Sequence, residues 1–179
     1  GKTIVFISTY RYGKVRGIKP YNEVAITVPV IRGFTKVKLA LHVIKMPVTS
    51  EENRQRGHYF WRLDKVLAQI DHHANGNAYT TTLNHAELSL PVPMDGRAKE
   101  SVKAFTLLAD SGDNITTATS LAKGAFSVRL FPRDAKLTLG NGPIAALLDS
   151  ILVSKSPLFT QFGTGIESVF GLPDQRLTM

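Results

Sequence analysis

The chain has 179 residues, 43% hydrophobic and 20% charged, which is material for one domain with a core and argues against disorder. It contains no cysteine, so disulfides, zinc–thiolate sites and thiol catalysis are excluded. The net charge is +8, but Lys and Arg are spread thinly, with no basic run interleaved with aromatics, and clustering is the footprint of a nucleic-acid binder.

No apolar run approaches the roughly 20 residues of a membrane helix. The apolar start, Ile4 to Ile7, is too short for a signal peptide. These features predict a single cytoplasmic domain over residues 1–179 with neither nucleic acid nor membrane as partner. The first residue is Gly1, not Met, so an engineered start, a fragment or a processed product is expected.

Taken in order, Thr3 to Tyr10 reads as a strand and Gly13 to Pro20 as a loop. Glu23 to Ile31 is a valine-rich strand, and Pro29 within it predicts an edge position or a bulge. Lys36 to Lys45 alternates, with Val37, Leu39, Leu41 and Val43 on one face. Thr49 and Glu52 have the spacing of a capping box, so a helix is expected over Ser50–Arg56, with Gly57 placed to end it. Strands follow at Leu63–Ile70 and Tyr79–Leu90, separated by the turn Asn75-Gly76-Asn77, and Pro91 to Gly96 breaks the pattern. Short strands are expected at Ala104–Ala109, Ala125–Phe131 and Ala135–Leu139. A turn at Gly140 to Pro143 leads into a helix from Ile144 to Val153, with Ala145, Leu148, Ile151 and Leu152 as its apolar stripe. Val169 to Pro173 has loop character.

Many short strands with two or three helices predict an α+β fold, mainly antiparallel, built as a closed or partly open barrel or as a sandwich.

Two stretches resemble the acetoacetate decarboxylase family: Pro20-Tyr21-Asn22-Glu23-Val24 with the strand through Val28-Pro29-Val30, and Pro47 to Glu52 followed by Gly57 to Ala68. The segment Ser168 to Pro173 is similar to the family's C-terminal end. The resemblance places the family's Schiff-base lysine on Lys65 and its inward-pointing glutamate on Glu23. It also implies a homo-oligomer and calls for no cofactor. In the family the lysine follows a proline and precedes a second lysine; here those neighbours are Asp64 and Val66. The family's more N-terminal carboxylate and arginine have no counterpart, since no acid precedes Glu23. The family's N-terminal segment is therefore expected to be missing, or supplied by a separate N-terminal chain.

Imine formation needs a neutral amine, whereas a free lysine is almost wholly protonated at neutral pH. Burial disfavours the ammonium, and acetoacetate decarboxylase itself is the standing example of a lysine activated by desolvation or a neighbouring cation. With Val66 in place of the second lysine, desolvation alone is the expected activator of Lys65. Glu23 is the candidate acid/base. Tyr21 is the candidate donor to a substrate oxygen. Phe60 and Trp61 are candidate pocket walls as well as core residues. The expected reaction is that of a lyase on a small keto acid or ketone, by decarboxylation or by aldol or dehydration chemistry. The alternative is a non-catalytic relative that binds a small molecule.

No metal site is expected. The neighbours His72 and His73 point apart in a strand, and apart from Asp71 and Glu87 no carboxylates accompany them or His85. Asp110 to Asn114 lacks the later glutamate of a calcium loop and reads as a polar turn. No Gly-x-Ser-x-Gly motif supports a serine hydrolase.

Overall fold

The computed structural model of the protein describes residues 4–32, 38–110 and 114–178. The elements run β1 (Phe6–Tyr12), β2 (Tyr21–Arg32), β3 (Lys38–Val48), α1 (Glu51–Trp61), β4 (Lys65–Leu67), β5 (Ile70–Asn75), β6 (Ala78–Leu83) and β7 (Leu88–Pro93). They continue with β8 (Lys99–Asp110), β9 (Asn114–Leu130), β10 (Thr138–Leu139), α2 (Pro143–Ile151), β11 (Phe159–Phe170) and β12 (Asp174–Thr178). Among the described residues no helix is long and apolar enough to cross a membrane.

The main sheet has the order β1-β2-β3-β8-β9-β11, with β4 beside β3 and β12 beside β9. A second sheet has the order β10-β7-β6-β5. Strand β3 runs parallel to β4 and β8; the other pairings are antiparallel. The main sheet is not closed, so the partly open form of the expected α+β architecture is the one adopted.

Because strand residues alternate between faces, β2 serves two environments. Val24 and Ile26 join Ile70, Leu83, Leu88 and Leu148 in an apolar core between the main sheet, the second sheet and α2. Ala25 faces the other way, to a smaller cluster with Val43, Met46, Leu63, Leu107 and Ala109. Glu23 lies two residues before Ala25 and therefore shares that second face.

Several boundaries differ from the sequence reading for physical reasons. The stretch Leu63–Ile70 is not one strand: β4 lies on the main sheet and β5 on the second, and the chain crosses between them at Ala68 and Gln69. Tyr79–Leu90 divides at a turn in which Asn84, His85 and Ala86 all take positive φ, which only a tight reversal imposes on such residues. Strand β7 continues through Pro91 to Pro93; β10 pairs only with Leu88 and Ser89, so both prolines sit where β7 is an edge. Pro29 pairs with Leu41 two residues beyond Thr27, the last residue of β2 paired with β1, and a register shift falls just before it, between Ile26 and Thr27. The β8–β9 pair is far longer than the two short strands expected, and the Asp110–Asn114 turn falls largely outside the described residues. Val169 and Phe170, expected in a loop, are the last residues of the long strand β11, whose Gly163 and Gly165 hide its strand character.

Helix α2 begins at Pro143, as a first-turn proline should. Gly142 provides no side-chain cap. Glu87 fills that role: its Oε1 accepts from the N–H groups of Ile144 and Ala145 at 2.6 and 3.1 Å, while Asn84 donates to Oε2 at 2.7 Å. This buried carboxylate, weighed in the sequence as a companion of the histidines, is the cap of α2.

Candidate active site

The corner between β3 and α1 is tied to the start of β2. Thr49 accepts from the Asn22 N–H through Oγ1 at 2.9 Å and donates its own N–H to the Asn22 carbonyl at 3.0 Å. Thr49 is thus engaged in a clamp. The N-cap is Ser50, whose Oγ accepts from the Asn53 N–H at 3.1 Å. The clamp holds Glu23, 5% exposed, over the corner.

Gly57 does not end α1. The helix continues to Trp61 and stops at Arg62, which takes the left-handed conformation with φ 55°. The reason for the glycine is steric. A Cβ at Gly57 would collide with Cδ of Lys65 and lie 2.7 Å from its Cε. The lysine stem crosses α1 at this point. The buried residues of α1 are Asn53 and Gly57, one turn apart on the same face.

Arg62 reverses the chain so that β4 lies parallel to the end of β3, with Lys65 opposite Met46. His58 bonds the Lys65 carbonyl through Nε2 at 2.8 Å. The Lys65 side chain is 7% exposed. Its Nζ donates to Glu23 Oε2 at 2.6 Å and to Asn53 Oδ1 at 2.5 Å. The Tyr21 ring centroid lies 6.0 Å from Nζ. Asp64, adjacent in sequence, turns away and pairs with Lys45 at 2.6 Å in a partly exposed ion pair. The expectation of activation by desolvation alone is therefore corrected: the amine is buried, but it is held by a carboxylate and an amide.

A file of tyrosines flanks this pair. Tyr10 stacks on Tyr12 at 5.7 Å and Tyr12 on Tyr21 at 4.7 Å. All three phenols are held above their ordinary pKa, chiefly by burial and further by the negative charge of Glu23. A hydrogen bond from Ser8 partly offsets this for Tyr10, and one from Asn53 does so for Tyr21. The face above Glu23 is thus lined by neutral hydroxyls.

The aromatic run lies at the C-terminal end of α1. Trp61 is half-buried, donates Nε1–H to the Gly171 carbonyl at 2.9 Å and meets Phe170 edge-on at 5.1 Å. It packs on the cluster of Met46 and Leu63, which Tyr10 also joins. Phe60 is exposed and, with Tyr59, Arg62, Thr116 and Pro173, lines an open cleft of about 430 Å³. Lys65, Glu23 and Tyr21 are brought together; Phe60 meets Tyr59 and Trp61, and Trp61 reaches Phe170, Gly171 and the Met46 cluster.

Asn53 escaped the sequence reading. Its signal was an uncharged Asn one turn before a Gly in a helix whose other faces carry Glu, Arg and Gln.

No family model matches the chain, and no curated protein does. Solved structures do. An acetoacetate decarboxylase from Legionella pneumophila subsp. pneumophila str. Philadelphia 1 superposes with a TM-score of 0.68 at 15% identity, over 98% of this chain and 76% of that one. A second acetoacetate decarboxylase structure gives 0.66 at 14% identity, over 98% and 75%. The enduracididine biosynthesis enzyme MppR, complexed with pyruvate, gives 0.54 at 12% identity, over 89% and 66%. At these identities the likeness is one of architecture, and it is decisive for that: the chain has the acetoacetate decarboxylase-like fold.

Proposed function

We propose that this chain is a lyase that forms a lysine imine with a small keto acid or related ketone. The observation that carries the reading is the buried Lys65 amine bonded to the buried Glu23 carboxylate at 2.6 Å, beside Tyr21. Removing one member of such a pair is costly, and apolar replacements of both are often neutral or better, so a fold has little reason of stability to keep it.

The chemistry follows from the geometry. Glu23 takes a proton from the Lys65 ammonium, freeing the lone pair. The amine adds to the substrate carbonyl to give a carbinolamine. Glu23 returns the proton to the departing hydroxyl, water leaves and an iminium forms. The iminium then accepts the electron pair of a breaking bond on the adjacent carbon. If that bond leads to a carboxylate, carbon dioxide leaves; if it leads to hydrogen, Glu23 receives the proton and aldol or dehydration chemistry opens. Tyr21, a neutral phenol, is suited to donate to a substrate oxygen. Protonation of the enamine and hydrolysis return the free lysine. The likeness to two decarboxylase structures and to an enzyme complexed with pyruvate supports this class without choosing among its reactions.

The same ion pair favours one alternative, a small-molecule binder in which Lys65 never reacts, because its amine already has two acceptors. Borohydride reduction in the presence of pyruvate or acetoacetate separates the two. The lyase reading expects one adduct mass, on the peptide containing Lys65, absent from Lys65→Met. An unmodified Lys65 under saturating substrate sinks it. Self-association is part of the proposal: Val128 and Leu130 of β9 and Val169 of β11 are exposed apolar residues on strands that pair with each other, a feature that light scattering tests.

A further inference from the structure

Asn53 is 8% exposed, and its amide oxygen is engaged within the site. Oδ1 accepts from Lys65 Nζ, the amine whose distance to the Tyr21 ring centroid is 6.0 Å. Lysine has no acceptor, so chemistry dictates which end of the amide faces it. The backbone of Asn53 is anchored independently, through the Ser50 cap. Asparagine is a poor helix former, and burying its amide is costly unless bonded. Neither helix formation nor packing accounts for it here.

We propose that Asn53 is a positioning residue that holds Lys65 Nζ in place while the proton moves to Glu23; the inference rests on Lys65 being the imine-forming residue. The two acceptors on Nζ behave differently during the transfer. Glu23 begins as an acceptor and ends as a donor, so its hold on the nitrogen changes sense. It must also let go to protonate the departing hydroxyl. The Asn53 oxygen accepts an N–H from the ammonium and from the neutral amine alike. It is the constant hold. A carboxylate at this position would compete with Glu23 for the proton, and an apolar side chain would release the nitrogen.

The test is borohydride trapping of the full chain with pyruvate as probe, followed across pH, for wild type, Asn53→Asp, Asn53→Leu and Asn53→Ser, with the melting temperature of each. Asn53→Asp is expected to move the pH profile of adduct formation to the alkaline side by about one unit, because a second carboxylate retains the proton on the amine. Asn53→Leu is expected to lower the maximal trapping rate about tenfold, with half-saturation by pyruvate little changed. Asn53→Ser, which keeps a short acceptor, should fall between and stands in if the leucine variant does not fold. Wild-type rates and profiles in all three variants overturn the inference. So does a loss of trapping that tracks melting temperature with the pH profile unmoved, since that is a structural role. A wild type that gives no adduct removes the imine reading itself, and this inference with it.

Discussion

The two faces of β2 make opposite bargains with water. On one, Val24 and Ile26 meet Leu83, Leu88, Ile144 and Leu148 in an apolar core. On the other, one residue out of phase, the chain buries Glu23, Lys65 and Asn53 beside three stacked, half-buried tyrosines. The first face is cohesive because each side chain removed from water adds about 25 cal/mol per Å² of apolar area. The second must recover the desolvation of two charges and an amide by bonding them to one another. Stability is made on one face, and the groups of the proposed chemistry are held on the other.

The sharpest way to break the comparison is to injure each face in turn. Leu148→Ala is expected to cost about 2–5 kcal/mol, as for other fully buried leucines, while leaving the Lys65 trapping rate of the folded fraction intact. Denaturant unfolding and trapping together check it. Lys65→Met strands Glu23 in a buried site without its cation and is expected to cost about 3 kcal/mol; Lys65→Met with Glu23→Leu should regain most of that while remaining inactive. A double variant no more stable than the single one would mean that the pair is not a net cost to this face.

Gly57→Ala sharpens the contrast further. In a solvated helix the change would add about 0.5–1 kcal/mol of stability. Here the new Cβ strikes the Lys65 stem, so trapping should fall about tenfold with little change in melting temperature, as the flexible stem shifts. The smallest effect is alkaline. The raised phenols of Tyr10, Tyr12 and Tyr21 keep their protons in the folded state at a pH where the unfolded chain loses them. Their contribution is complete below about pH 10, the unfolded value, and is lost as pH rises through their folded values. Tyrosinate absorbance should show these three ionising only together with loss of the fold.

How much of this was readable beforehand varies with the range of the interaction. The valine-rich β2, the start of α1 and nearly all of α2 follow from local pattern and turn chemistry. Lys65 and Glu23 were singled out because motif order places them, though they lie 42 positions apart. Gly57 was read as a helix terminator because local rules make glycine a stop; its steric partner is a side chain that approaches only after the chain reverses at Arg62. Thr49 was read as the cap from its spacing to Glu52, but the clamp on Asn22 engages it, and Ser50 caps the helix instead. β11 was hidden because glycines lower its apparent strand character, whereas its partner β9 supplies the hydrogen bonds.

By itself, then, the sequence determined the periodicities, the helix starts, the absence of thiol chemistry and which lysine and glutamate to single out as candidates. Tertiary structure alone decided that the sheet stays open, that Asp64 turns to Lys45, and that Asn53 meets the Lys65 amine. The reason is physical. Local pattern encodes what a residue does to its own backbone and which face it presents, but a buried polar contact is made between segments whose meeting depends on every turn in between.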